Sequence, residues 1–124
     1  MDLVTLAFLG DAVYELNVRR RIAGRRGVCT ADKLHLEAVK YVKASAQAKA
    51  LRGLTEEGIL TADELDLVRR ARNRKPKSIP KNSDPMEYKL ASAFEALLGY
   101  HYINGDADRV DFLIESAMRI IDGK

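Results

Sequence analysis

Residues 5–16, Thr-Leu-Ala-Phe-Leu-Gly-Asp-Ala-Val-Tyr-Glu-Leu, constrain the fold of this chain more than any other stretch. At about 100° per residue, Leu6, Leu9, Val13 and Leu16 fall on one helical stripe, while Val4, Ala7, Phe8 and Val18 lie largely on the other side. A helix apolar on all sides is expected in the centre of its domain. Yet this one carries Asp11 and, one turn on, Glu15. A carboxylate in an apolar setting is costly unless it is paired or holds a metal. Something in the fold must answer Asp11.

The other segments also read as helices. The first runs over residues 3–22, ends in Arg19-Arg20-Arg21, which suits a helix C-terminus, and is broken by Gly24 and Gly27. Thr30 is placed to cap a second helix, whose pattern continues through Val39, Val42, Ala46, Ala50 and Leu51 with a bend near residues 40–43. Gly53 reads as a C-terminal stop and Thr55–Gly58 as a short turn. Thr61 and Glu64 have capping-box spacing and open a helix to about Asn73. Two prolines and no apolar period make residues 74–83 a loop. Asp84, Pro85 and Glu87 then start the longest helix, with Met86, Leu90, Phe94 and Leu97 as its core stripe. Asn104-Gly105 turns the chain, and Asp106 caps a last helix carrying Val110, Leu113, Ile114, Ala117 and Ile121. No stretch alternates with period two, so the expected class is all-α, in a single domain over residues 1–124.

Composition narrows the function classes. With 47% hydrophobic and 31% charged residues, the chain can build a core and remain soluble. The net charge is only +3, but a pI near 9.1 leaves nucleic acid open as a partner. A single cysteine, Cys29, forms no internal disulfide and has no histidine in a nucleophile pattern, so an inert thiol in a reducing cytoplasm is expected. No run reaches the ~20 apolar residues of a membrane helix, and no basic segment precedes the first apolar stretch as in a signal peptide. His35 and His101 lack zinc-site spacing, and His101 reads as structural.

Two features carry chemistry. Glu95 stands apart from the main stripe of its helix, with the small residues Ala91, Ser92 and Gly99 beside it, so another helix or a ligand can come close. Asp11 and Glu95 are thus two acids in apolar settings, and if they converge they make a hard oxygen site for Mg²⁺. The alternative is that each caps a loop or pairs with an arginine. Residues 69–81 hold seven basic residues and no acid, which suits phosphate contacts or, more plainly, a solvated loop. Arg19, Arg20, Arg21, Arg25 and Arg26 form a second basic cluster.

Several motifs now converge on one family. Leu6-Ala7-Phe8-Leu9-Gly10-Asp11-Ala12-Val13 resembles the signature helix of ribonuclease III, and Ala91–Gly99 resembles its second acidic helix. The match is closer still to the Mini-ribonuclease III branch, which lacks a double-stranded-RNA-binding domain. Its motifs are met by Gly10–Glu15, Leu34-His35, Gln47-Ala48, Arg72–Lys75, Pro80–Asn82 and Ala93–Tyr100, in order along essentially the whole chain. The resemblance implies an all-α ribonuclease III catalytic-domain-like bundle. It also implies a cytoplasmic homodimer with Phe8 plugged into the partner subunit. Asp11 and Glu95 take the catalytic metal-binding positions for Mg²⁺, or Mn²⁺ in its place, with Glu15 and Ser92 beside them. Two further acids of ribonuclease III proper fall here at Ala7 and Ser92, and the Mini-form departs at the same places. The implied activity is cleavage of double-stranded RNA to 5′-phosphate and 3′-hydroxyl ends. The implied role is maturation of the 23S ribosomal RNA precursor, assisted by a large-subunit ribosomal protein. Arg72, Asn73, Arg74, Lys75, Lys77 and Lys81 would contact the RNA. The alternative is a catalytically weak or inactive double-stranded-RNA-binding relative.

Overall fold

The computed structural model describes residues 1–25, 27, 30–76 and 78–124; Arg26, Val28, Cys29 and Lys77, and the readings made of them, lie outside the described residues. Among the described residues the chain forms six α-helices and no strand: α1 Leu3–Ala23, α2 Ala31–Val42, α3 Ala44–Glu56, α4 Ala62–Asn73, α5 Pro85–Ile103 and α6 Ala107–Ile121. The N-cap side chains expected at Thr30, Thr61, Asp84 and Asp106 all make their bonds, but Glu87 does not close the box expected with Asp84. Thr30 Oγ1 accepts from Lys33 N at 3.3 Å, Asp84 Oδ1 from Met86 N at 2.8 Å, and Asp106 Oδ1 from Arg109 N at 3.2 Å. Thr61 and Glu64 close a reciprocal capping box. Asp2 caps α1 through Thr5 N, a role the sequence reading did not assign.

The centre of the domain is α5, which packs against α1, α3, α4 and α6. Its Leu90, Ala91, Ala93, Phe94, Ala96, Leu97, Leu98 and Gly99 are all buried, so it is the helix enclosed on nearly every side. That corrects the expectation placed on α1. The buried stripe of α1 is Leu6, Gly10, Tyr14, Val18 and Ile22, an i, i+4 row, and not Leu6–Leu9–Val13–Leu16. Leu9 and Val13 are half-buried, while Val4, Phe8 and Leu16 are exposed at 53%, 77% and 68%. An all-apolar helix can lie at the surface when its outer face has another use.

Two smaller readings also change. Gly53 does not end α3, which continues to Glu56 and turns at Gly58 with φ 69°. A Cβ on Gly53 would stand 2.6 Å from Ile120 Cγ2, so this glycine serves the close packing of α3 on α6. Met86, in the first turn of α5, is 48% exposed because the helix has not yet entered the core.

Polar ties hold the helices in register. Buried Glu64 accepts from Arg109 Nη2 at 2.6 Å and Nε at 3.0 Å, and its Oε2 lies 2.6 Å from His101 Nε2. Burial alone would raise the Glu64 carboxyl, but bonds from Arg109, Thr61 N and His101 outweigh it and leave the group at about 2. His101 is structural, as expected. Tyr14 Oη donates to the Tyr41 carbonyl at 2.8 Å, and Tyr41 Oη donates to Asp122 Oδ1 at 2.7 Å, tying α1 to α2 and α2 to the end of α6. The bend expected near residues 40–43 is a true break: Lys43, with ψ 152°, ends α2 and begins α3.

Candidate active site

The site forms where α1 crosses α5, and two glycines set that crossing. A Cβ on Gly10 would run into the backbone carbonyl of Glu95, and one on Gly99 into the carbonyl of Leu6. With no side chain at either point the two backbones touch, and Asp11 on α1 comes beside Glu95 on α5. Tyr14 and Phe94 pack edge-on at 5.2 Å just beyond, fixing the rotation of one helix on the other.

Asp11 lies near enough to Glu95 to act on its carboxyl. Burial raises the Glu95 carboxyl most; the Asp11 charge adds to it, and Glu15 contributes from farther away. The net result is a carboxyl at about 8, although the Gln47 amide, with Nε2 at 3.4 Å from Glu95 Oε2, pulls the other way. Among the described residues, neither Asp11 nor Glu95 forms an ion pair with a basic side chain. The arginine-partner alternative is therefore not met. Asp11 itself is exposed and not enclosed as the sequence suggested; Glu95 is the acid that bears the burial. Half-buried Ser92 lies one turn before Glu95, and Ala7 one turn before Asp11. Among the described residues no three His, Cys, Asp or Glu side chains gather into a ready-made metal cage.

Sequence reasoning passed over Gln47 as a working residue. It is buried, and its Oε1 has no hydrogen-bond partner. The available signal was a lone amide in the otherwise small run Ala44-Ser45-Ala46-Gln47-Ala48.

The two basic clusters separate in the structure. Arg20 and Arg21 both reach Asp111, Arg19 pairs with Glu15, and Arg25 with Glu37. That cluster is largely neutralised within the fold. In the other, Arg69 and Arg70 share Asp66, but Arg72, Asn73, Lys75 and Lys81 are exposed, Arg74 is half-buried, and among the described residues the four basic ones form no ion pair. Lys77 lies outside the described residues.

Comparisons with known proteins agree with the helical fold. The profile of the Ribonuclease III domain matches residues 4–106. The chain is 44% identical over 119 residues to the Mini-ribonuclease 3 of Symbiobacterium thermophilum, covering 96% of this chain and 89% of that protein. It is 41% identical over 121 residues to the Mini-ribonuclease 3 of Brevibacillus brevis, covering 98% and 88%. A crystal structure of a Fusobacterium nucleatum protein superposes with a TM-score of 0.82 at 26% identity, covering 95% of this chain and 92% of that one.

Proposed function

Because the chain belongs to the ribonuclease III family, in its Mini-ribonuclease III branch, and is thus an endoribonuclease, we propose that it cuts double-stranded RNA using Mg²⁺ held by Asp11 and Glu95. The observation that carries this is the unpaired carboxyl couple at the α1–α5 crossing. Burial first, and then the charge of the adjacent Asp11, make the Glu95 carboxyl hold its proton to about 8. A hard divalent cation suits such a pair of oxygen donors, and Mn²⁺ would fit the same donors. When bound, the cation supplies charge neutralisation at the phosphodiester and a water acidic enough to attack it. The chain contributes the rest. Asp11, exposed, faces the approaching substrate; Glu95, half-buried, anchors the pair; Glu15 and Ser92 stand close by for water-mediated support.

Recognition on this reading is by phosphates and 2′-hydroxyls, because the deep major groove of an A-form duplex admits few side chains. The Arg72–Lys81 loop supplies the positive charge. Two sites in a homodimer would cut both strands and leave 5′-phosphate and 3′-hydroxyl ends. The family resemblance extends the proposal to the cytoplasmic maturation of the 23S ribosomal RNA precursor, with a large-subunit ribosomal protein assisting. No helix among the described residues is long and apolar enough to cross a membrane. The direct test is incubation with long duplex RNA with and without Mg²⁺. Binding without cutting at any Mg²⁺ or Mn²⁺ concentration would favour the inactive RNA-binding relative.

Two outcomes are expected of the surfaces. Changing Arg72, Arg74 and Lys75 together to alanine removes phosphate contacts without touching the core. Duplex binding weakens, the log–log salt slope falls by about two to three, and the melting temperature holds; filter binding over a salt series reads this, and an unchanged slope refutes it. Phe8, with Val4 and Leu16, makes an uncovered apolar face on α1. A buried aromatic anchor tends to dominate an interface, so Phe8→Asp is expected to give monomers that no longer cut both strands. Sedimentation of the wild-type chain as a monomer at micromolar concentration would contradict the dimer.

A further inference from the structure

The Gln47 side chain lies at the meeting point of three elements. Its Nε2 donates to the Val42 carbonyl at 2.8 Å, on the last turn of α2, and approaches Glu95 Oε2 on α5 at 3.4 Å, while its backbone N–H closes the first turn of α3 on the Lys43 carbonyl at 3.1 Å. The break at Lys43 makes this possible. A helix that ends leaves its final carbonyls without intrahelical donors, and the Gln47 amide takes one of them. The bond to Val42 also settles which end of the amide faces Glu95: the nitrogen is the donor to both oxygens.

Serving the break alone would not require a second donor aimed across the core at a carboxyl 48 residues away in sequence. Nor would it require Oε1 to be buried with no partner, which costs free energy in any fold. An apolar residue of the same length would fill this space without that cost. Both features make sense if the amide belongs to the metal site. An N–H bond from the Gln47 amide restrains the rotamer of the carboxyl that it reaches. A buried acceptor beside the site is suited to a water carried by a divalent cation, which sheds its waters reluctantly.

We infer that Gln47 is a positioning residue for Glu95: anchored on the Val42 carbonyl at the α2–α3 break, its amide holds the Glu95 carboxyl in place for the cation and offers Oε1 to the cation's water. The inference rests on the reading of Asp11 and Glu95 as the metal site. It gives the helix break a purpose, since a continuous α2–α3 helix would keep the Val42 carbonyl for itself. Gln47 acts through Glu95 and touches no reacting atom.

The test is titration calorimetry of the RNA-free protein with Mn²⁺, alongside thermal melts. Gln47→Met keeps length and bulk but loses both donors. It is expected to stay folded and to bind Mn²⁺ about tenfold more weakly, as losses of groups that orient metal ligands generally do. Cleavage should then need correspondingly more Mg²⁺. Gln47→Asn, one methylene short of reaching both oxygens, should weaken Mn²⁺ in the same direction and serves if the Met variant does not fold. Unchanged Mn²⁺ affinity in a folded variant overturns the inference, whatever the melting temperature does. So does loss of the fold in both variants, which would make Gln47 part of the helix framework only. A wild-type chain that takes up no Mn²⁺ overturns the metal site itself, and the inference with it.

Discussion

Asp11→Asn and Glu95→Gln are each expected to lower cleavage of duplex RNA by on the order of 10³-fold or more, while the six-helix fold remains. Each substitution is nearly isosteric and removes one anionic oxygen donor from the couple. Neither acid has a basic partner among the described residues, so neutralising one breaks no ion pair. The metal-free Glu95→Gln protein should even gain stability near neutral pH, because an amide enters the site without the proton uptake that burial and the Asp11 charge impose on the carboxyl. The pH dependence has a definite sign. Folding raises the Glu95 carboxyl from 4.5 to about 8, so the folded chain holds a proton that the unfolded chain gives up. With respect to this group, stability is greatest below about pH 4.5 and declines as pH rises toward about 8. Melts in chelator at about pH 5 and pH 8 should show this decline in the wild type and lose it in Glu95→Gln. A variant that unfolds would mark its acid as a structural partner, and one that still cuts at near the wild-type rate would remove it from the site.

Gly10→Ala should be among the most damaging single-methyl additions in the chain. The new Cβ meets the Glu95 backbone, which cannot swing aside as a flexible side chain can. The helices must separate, opening the packing of Tyr14 on Phe94 and moving Asp11 from Glu95 together. Alanine gains up to about 1 kcal/mol in helix propensity over glycine, but overpacking against main chain costs about 3 kcal/mol or more. The expected fall in Tm is roughly 10 °C, with activity lost beyond what stability explains. Gly24→Ala is the control. Its φ is −83° and a Cβ would find its nearest neighbour at 3.7 Å, so the Tm should hold or rise. Equal melting temperatures for the two variants would mean that the crossing is not set by Gly10.

The site was more legible in the sequence than the burial pattern around it. Caps such as Thr61–Glu64 and Asp84–Pro85 announce helix starts because their hydrogen bonds are local, and the structure makes them where expected. The small residues around Glu95 correctly signalled a close approach, since a glycine such as Gly99 on a helix face leaves few other uses. Which helix occupies the centre was not legible. Both α1 and α5 are apolar on most sides, and periodicity cannot tell an outer face awaiting a partner from one enclosed by the same chain. Leu16 therefore reads as core and proves exposed. Gln47 was seen as part of a matched motif, but its contacts were not legible: its partners, Val42 and Glu95, come together only through the break at Lys43, and neither lies at a helical spacing that a pattern would reveal.

The pairing of Tyr14 with Phe94 has an optical consequence. The chain has five tyrosines and no tryptophan, so its near-ultraviolet dichroism comes chiefly from tyrosine. Tyr14, fully buried, held edge-on by Phe94 and bonded through its hydroxyl to the Tyr41 carbonyl, is the tyrosine with least freedom to average its signal away. Asymmetric packing of this kind is what near-ultraviolet dichroism records and what vanishes when tertiary packing loosens while helices persist. Tyr14 is one helical turn from Gly10 and packs on the residue preceding Glu95. The protein thus carries an unlabelled reporter at its α1–α5 crossing, and a spectrum can follow whether that crossing is closed.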